Sequence, residues 1–141
     1  MSSRGPLKKI NRVFLFIYLP LIIHWVTIFI LTSLPSDRLP SVEVSDKINH
    51  FLAFFILGFF LNLTLKYQTK FPELKKNIIL ITVIIASGYA LLDELHQLFV
   101  PGRSAEVLDW VADFIGAITG SYLTEFIYRR YFVSLNNFLR V

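Results

Sequence analysis

The sequence lacks cysteine, internal repeats and low-complexity segments. The absence of cysteine excludes disulfide bonds, thiol catalysis and cysteine-based metal sites. With 141 residues, the chain is long enough for one domain. Apolar residues make up 55% of it, more than the roughly 45–50% that is usual in a soluble domain. The composition therefore indicates an integral membrane protein.

The formal net charge is +4, and the basic residues lie between long apolar runs rather than on one basic face. In that position they act as topology signals, so a nucleic-acid partner is not expected. The first apolar run, residues 13–34, follows a basic segment, as in a secretory signal peptide. It is longer than a typical hydrophobic region of ~7–15 residues, and no A-x-A-like cleavage site follows. We expect an uncleaved first span.

Four apolar stretches approach or exceed the ~20 residues that a helix needs to cross the hydrocarbon core. They cover residues 13–34, 48–65, 78–100 and 107–128. Pro35 ends the first stretch, and the Pro101-Gly102 pair predicts a turn after the third. Ser45 and Ser104 are candidate N-caps for the second and fourth helices. The predicted fold is all-α, an integral membrane bundle of four transmembrane helices.

The numbers of basic residues alternate along the chain and predict its orientation. The first tail, the three loops and the last tail contain four, two, four, one and three lysines or arginines. Cytoplasmic segments carry the excess of these residues, so both termini and the middle loop are predicted to be cytoplasmic. The predicted organisation is a basic cytoplasmic tail (1–12), a transmembrane domain (13–128) and a second cytoplasmic tail (129–141). The first and third loops then face the extracytoplasmic side.

Most of the unusual polar residues lie at helix ends that share this outer face. They are Asp46, Lys47, His50, Asp93, Glu94, His96, Gln97, Arg103, Asp109 and Asp113. Asp46 and His50 are four residues apart, as are Asp109 and Asp113, so each pair shares one face of a helix. Charged groups at the centre of a membrane helix cost at least ~2.5–3.5 kcal/mol and usually mark a functional site. We therefore expect a polar pocket at the outer surface.

Three blocks in this order carry a family resemblance. They read Asp46-Lys47-x-x-His50-Phe51, Asp93-Glu94-x-His96-Gln97-x-x-x-Pro101-Gly102-Arg103, and Asp109 followed by Gly116 and Gly120. Together they resemble the VanZ-like family over residues 33–120. The resemblance implies a small multi-span envelope protein with a link to resistance against teicoplanin-type glycopeptide antibiotics. It also implies asparagine at position 113, where this chain has an aspartate.

Two functional interpretations are open. In the first, the protein is an enzyme acting on a phosphorylated or lipid-linked envelope substrate at the outer surface. The expected catalytic residues are Asp46, His50, Asp93, Glu94, His96, Gln97 and Asp109, and the expected substrate-binding residues are Lys47, Arg103 and Asp113. Arg103 suits a phosphate or carboxylate, and histidines exchange protons near neutral pH. In the second, the pocket binds an envelope precursor, a glycopeptide or a lipid head group without catalysis.

A structural interpretation stands beside these two, in which the charges only pair with one another and tie the helices together. A divalent ion would find oxygen and imidazole ligands among the same residues, namely His50, Asp93, His96, Asp109 and Asp113. No recognised spacing such as H-E-x-x-H accompanies them, so the sequence assigns no metal and no cofactor. His24, in the middle of the first span, is expected to bond a neighbouring helix outside the site.

Overall fold

A computed structural model describes residues 11–38 and 46–139, which form helices joined by short connections, with no β-strand among them. The helices are α1 (Leu19–Ser33), α2 (Asp46–Tyr67), α3 (Ile78–Gln97) and α4 (Val107–Leu139). A π-helical turn, Phe14–Tyr18, leads directly into α1. Pro20 has no N–H to donate to the carbonyl one turn earlier, and this gap in the hydrogen-bond pattern accompanies the wider turn.

Three of these helices are long and apolar enough to cross a membrane, namely residues 14–33, 46–67 and 78–97. The prediction of four such spans is therefore supported for three helices only. The remaining helix, α4, is less apolar because Asp109, Asp113 and Glu125 lie along it. Asp109 and Asp113 are buried inside the bundle. The sequence pattern located α4 correctly, but its apolar character is lower than a simple spanning helix requires.

The helix ends differ from the predicted ends at several points. The fourth helix was predicted to end at residue 128, but it continues to Leu139 with a kink at Tyr131. Its last turns pack on the start of the chain, where Arg12 Nη1 donates to the carbonyl oxygen of Phe138 (2.8 Å). α4 begins at Val107, so Ser104 is too distant to be its N-cap. Ser45 and most of the tail 1–12 lie outside the described residues.

Two glycines bring α4 against α2. A Cβ atom on Gly116 would overlap the backbone of Phe51, and one on Gly120 would overlap the backbone of Phe55. Larger residues at either position would push the helices apart, since backbone atoms cannot rotate away. Gly116 and Gly120 thus permit a close approach of α4 to α2.

The antiparallel helices place two different sets of side chains at opposite ends of the bundle. At one end, here called the polar end, lie residues 32–36, 46–50, 93–97 and 101–113. At the other, the basic end, lie residues 64–78 and 125–139. Between them His24 Nε2 donates to the carbonyl oxygen of Ala53 in α2 (2.8 Å), which confirms the prediction for this histidine.

Candidate functional site

His50 and Asp113 form a buried pair between α2 and α4. The side chain of Asp113 is fully buried, and His50 is 7% exposed. The distance from His50 Nδ1 to Asp113 Oδ1 is 3.0 Å, so Nδ1–H donates to the carboxylate. The other ring nitrogen, Nε2, lies 4.0 Å from Asp46 Oδ2 on the same helix face, as the spacing predicts. The carboxylate of Asp113 thus fixes the orientation of the imidazole.

Asp93 is held by two neutral donors. Thr32 Oγ1 donates to Asp93 Oδ1 (2.7 Å), and Gln97 Nε2 donates to Asp93 Oδ2 (3.4 Å). Thr32 belongs to α1, outside the three sequence blocks, and sequence reasoning missed it. A hydroxyl in the last turn of an apolar helix gives only a weak signal, because such groups commonly bond their own helix. Gln97, one helical turn after Asp93 in α3, helps to hold the Asp93 carboxylate in place.

His96, which the sequence predicts as catalytic, contacts α1 and forms no hydrogen bond with His50 or Asp93. Its Nε2 lies 3.1 Å from Ser33 Oγ, and its ring stacks on Phe29 with centroids 5.6 Å apart. Both partners belong to α1. In this arrangement His96 joins α3 to α1 at the edge of the polar end.

Glu94 extends from α3 toward the beginning of α4. Its Oε2 accepts a hydrogen bond from the backbone N–H of Glu106 (2.8 Å). Within residues 11–38 and 46–139, its other oxygen, Oε1, has no hydrogen-bond partner although it is buried. The same is true of Asp113 Oδ2. Buried carboxylate oxygens without partners are costly, and native proteins contain few of them.

Lys47 joins the start of α2 to the start of α4. Its Nζ donates to Glu106 Oε2 (2.8 Å) and to Asp109 Oδ1 (3.1 Å). Lys47 lowers the pKa of the Glu106 carboxyl by hydrogen bonding to its charged form. Glu106 was missed by sequence reasoning because an exposed acid just before a helix usually only favours the helix dipole. The sequence predicts that Lys47 binds substrate. In the structure its ammonium group is bonded to these two carboxylates instead.

Arg103 is positioned by the turn that precedes it. Gly102 adopts φ of +74°, a conformation that favours glycine, and a Cβ there would meet the Ser36 side chain of the first loop. The backbone N–H of Arg103 bonds to the carbonyl oxygen of Val100 (3.1 Å), closing the turn. Arg103 Nε is buried without a hydrogen-bond partner in the part of the chain that the structure describes.

A cavity of about 310 Å³ opens in front of Arg103. Its polar lining comprises Thr32, Asp46, Asn49, His50, Asp93 and Arg103, and its apolar lining comprises Ile28, Leu31, Ala53 and Phe54. α1 and α2 supply the apolar wall. The cavity therefore has a charged part next to an aliphatic and aromatic part, within the volume range of small-molecule sites.

A family model described as VanZ/LLP1 matches residues 6–128 of the chain. The chain belongs to the VanZ/LLP1 family. The match confirms the resemblance carried by the three sequence blocks and includes every polar residue described above. No curated protein and no solved structure matches the chain. Family membership and three membrane-capable helices together make this a multi-pass membrane protein.

In this VanZ/LLP1 member, the ten predicted site residues all lie at one end of the bundle, but they form separate groups. Asp46, His50, Asp93 and Arg103 line the cavity. Asp113 lies behind His50, and Gln97 supports Asp93. Glu94 binds the backbone before α4, Lys47 and Asp109 pair, and His96 packs on α1. Asn49, which also lines the cavity, was missed although it is the neighbour of His50.

Proposed function

We propose that α4 crosses the bilayer with the other helices and that the polar end faces the extracytoplasmic side. The polar side chains of α4 lie inside the bundle, since Asp109, Asp113, Ser121 and Thr124 are at most 3% exposed. Large apolar side chains occupy its outer surface instead. The alternation of basic residues along the chain supports the orientation, because lysine and arginine favour the cytoplasmic side.

We propose further that the cavity binds the anionic head group of an amphiphilic envelope molecule. The observation that carries this proposal is Arg103, whose buried Nε has no partner in the described residues while it lines the cavity. A guanidinium presents planar donors that match phosphate or carboxylate oxygens. A bound anion would supply a counter-charge to this guanidinium, which forms no salt bridge within the described residues.

The acidic lining restricts which anion fits. Asp93 already accepts hydrogen bonds at both oxygens, and the Asp46 side chain is 60% exposed, where water screens its charge. Asp46 and Asn49 remain as acceptors for hydroxyl groups beside the anion. The ligand class that suits both features is a phosphate ester that carries neighbouring hydroxyl groups.

The apolar wall supplies the second half of the recognition. Ile28, Leu31, Ala53 and Phe54 continue the cavity along α1 and α2. Buried apolar surface favours binding by roughly 25 cal/mol per Å², so an attached acyl or alkyl chain adds affinity. Lipid head groups and lipid-linked cell-wall precursors have this chemistry. Capture of a teicoplanin-type glycopeptide is a further form of the same proposal, in keeping with the family resemblance.

The binding proposal is tested by native mass spectrometry of the detergent-solubilised protein. We expect short-chain phosphatidylglycerol to bind more tightly than phosphatidylcholine of the same chain length, and more tightly than soluble glycerol phosphate. Arg103→Ala should weaken phosphatidylglycerol binding by about tenfold or more, since a hydrogen bond to a charged group contributes ~1.5–3 kcal/mol. Arg130→Ala, at an exposed position on the basic end, is the matched control. Equal losses in the two variants would contradict the proposal.

A second candidate function is acid–base catalysis on the bound ligand. The observation that favours it is the His50–Asp113 contact, in which a buried carboxylate orients the imidazole while His50 lines the cavity. An imidazole held in this way can accept or donate a proton at its other nitrogen. Incubation of the protein with the lipids that bind, followed by mass analysis, tests it. Turnover that His50→Gln abolishes while binding persists would support catalysis, and unchanged lipid after prolonged incubation would favour binding alone.

A further inference from the structure

The polar end contains a cluster of one histidine and two carboxylates from three helices, and only the histidine also lines the cavity. His50 comes from α2, Glu94 from α3 and Asp113 from α4, and all three are buried. One nitrogen or oxygen atom from each lies within 4.8 Å of those of the other two. Side chains that converge from three helices have a better-defined geometry than a row of acids on one helix, because the packing of the whole bundle fixes their separation.

Unpartnered oxygens accompany this convergence. Glu94 Oε1 and Asp113 Oδ2 are buried and have no hydrogen-bond partner within residues 11–38 and 46–139. Glu94 is 5% exposed and Asp113 is fully buried. Lys47 does not neutralise them, because its Nζ bonds to Glu106 and Asp109. A neutral histidine leaves two carboxylate charges in the cluster, which a divalent cation would balance.

The geometry points to a divalent transition-metal site formed by His50, Glu94 and Asp113. His50 Nδ1 and Asp113 Oδ1 are 3.0 Å apart, about the spacing of two adjacent ligands that each bind a metal at ~2.0–2.2 Å, and the ion would displace the Nδ1 proton, which is released to solvent. Glu94 provides the third ligand from the opposite helix. A set of one imidazole and two carboxylates favours zinc and its neighbours over magnesium, which prefers an all-oxygen shell.

This inference does not depend on the lipid-binding proposal, because the cluster lies behind His50 rather than at Arg103. The two are nevertheless adjacent, since His50 belongs to both the cluster and the cavity lining. A cation at this position would add positive charge next to the cavity. It would thereby make the electrostatic potential in the cavity more favourable for an anionic head group. Arg103 would bind the head group, and His50, Glu94 and Asp113 would bind the cation.

The test uses the full-length protein in detergent, stripped with a chelator and then dialysed against zinc or magnesium. Elemental analysis should find one zinc per chain and no stoichiometric magnesium, and zinc should raise the thermal midpoint. Zinc affinity should fall by more than about tenfold in Glu94→Gln and in Asp113→Asn, since even outer-shell partners of a metal contribute about 10–100-fold. Glu73→Gln, an exposed acid in the α2–α3 connection, should bind zinc as the wild type does.

Several results would overturn the assignment. Wild-type protein that binds no zinc would indicate that the buried carboxyl groups of Glu94 and Asp113 are not metal ligands. Equal uptake of magnesium would indicate unspecific binding to acids. Asp46, His50 and Asp109 also approach one another, so Asp46→Asn serves as a second comparison. Loss of zinc in Asp46→Asn with retention in Glu94→Gln would place the ion in that more exposed group and contradict the inference.

Discussion

The two ends of the bundle contain similar numbers of charged groups but use them differently. At the basic end, Glu125 binds both Lys66 and Arg129, and Lys66 also lies over the ring of Tyr128 with its Nζ 4.5 Å from the centroid. Each of these charges has an opposite charge beside it. The arrangement joins α2 to α4 and needs no further partner.

At the polar end the pairing is incomplete. Oxygens of Glu94 and Asp113 and the Nε of Arg103 are buried without hydrogen-bond partners among the described residues, and a cavity lies beside Arg103. Neutral buried groups such as Asn62 and Thr64 also lack partners in the described chain, so the contrast between the two ends concerns charged groups. A buried charged group without a partner is costly and is more often found at a functional site. The comparison separates a structural use of charge from a functional one. It also argues against the interpretation in which all the charges only tie helices together.

The largest effect on stability should come from the helix contact that supports both ends. Gly120→Ala places a methyl group against the backbone of Phe55, and overpacking of this kind costs about 1–3 kcal/mol. Gly88→Ala in α3 is the matched control, because open space surrounds that position. It should be neutral or stabilising by up to about 1 kcal/mol, since alanine favours helix more than glycine does. Thermal unfolding in detergent measures both, and equal midpoints would contradict the α2–α4 packing.

The next effect concerns the charge pairs of the basic end. Glu125→Gln leaves Lys66 largely buried without a full counter-charge. We expect a loss of about 1–2 kcal/mol, less than the ~3–5 kcal/mol of a fully buried pair, because water reaches Glu125. The double variant Lys66→Met/Glu125→Leu should recover most of the loss in the same unfolding assay. No recovery would mean that the pair has a role other than mutual neutralisation.

A smaller and pH-dependent effect is expected at the rim of the polar end. The pKa of Glu106 is lowered in the folded protein, so its pairing with Lys47 stabilises the fold above the ordinary glutamate range. That stabilisation is lost as the pH falls through the lowered pKa. The thermal midpoint of wild type should exceed that of Glu106→Gln at pH 7, and the difference should disappear in acid. A difference that persists at all pH values would show that the charge is not responsible.

Arg103→Ala should change stability least, within about ±0.5 kcal/mol, because its side chain completes no pair in the described chain. The same substitution is expected to weaken ligand binding, which makes it the opposite of Glu125→Gln. Unfolding curves of wild type and Arg103→Ala, recorded without lipid, test this. A loss as large as that of Glu125→Gln would make Arg103 a structural residue and remove the distinction between the two ends.

The sequence predicted the helices and their grouping better than it predicted individual contacts. Helical spacing correctly placed Asp46 with His50 on one face of α2, but it did not identify α2 as the helix that packs against the glycines of α4. Spacing does not give the rotation of a helix about its axis. It therefore could not predict that His96 contacts α1 instead of lining the cavity. Thr32 has no motif around it, so its bond to Asp93 could only be found in three dimensions.

The fourth helix shows a different limit. A low mean hydropathy follows from its acids, but hydropathy does not record that Asp113 is buried against His50. The continuation of α4 to Leu139 accompanies a contact between Phe138 and Arg12, which the local sequence pattern does not predict. These contacts join residues more than 60 positions apart, as in the His50–Asp113 pair. Local pattern placed such residues at one end of the bundle but did not predict which of them pair.

The most direct test of the account is the side of the membrane on which the polar end lies. The native chain has no cysteine, so Ser104→Cys at the polar end and Glu73→Cys in the α2–α3 connection can be labelled singly in intact cells. Both positions are exposed. A membrane-impermeant maleimide should label position 104 and leave position 73 unlabelled until the cells are permeabilised. Labelling of position 73 alone would place the cavity on the cytoplasmic side and contradict binding of an extracytoplasmic envelope ligand.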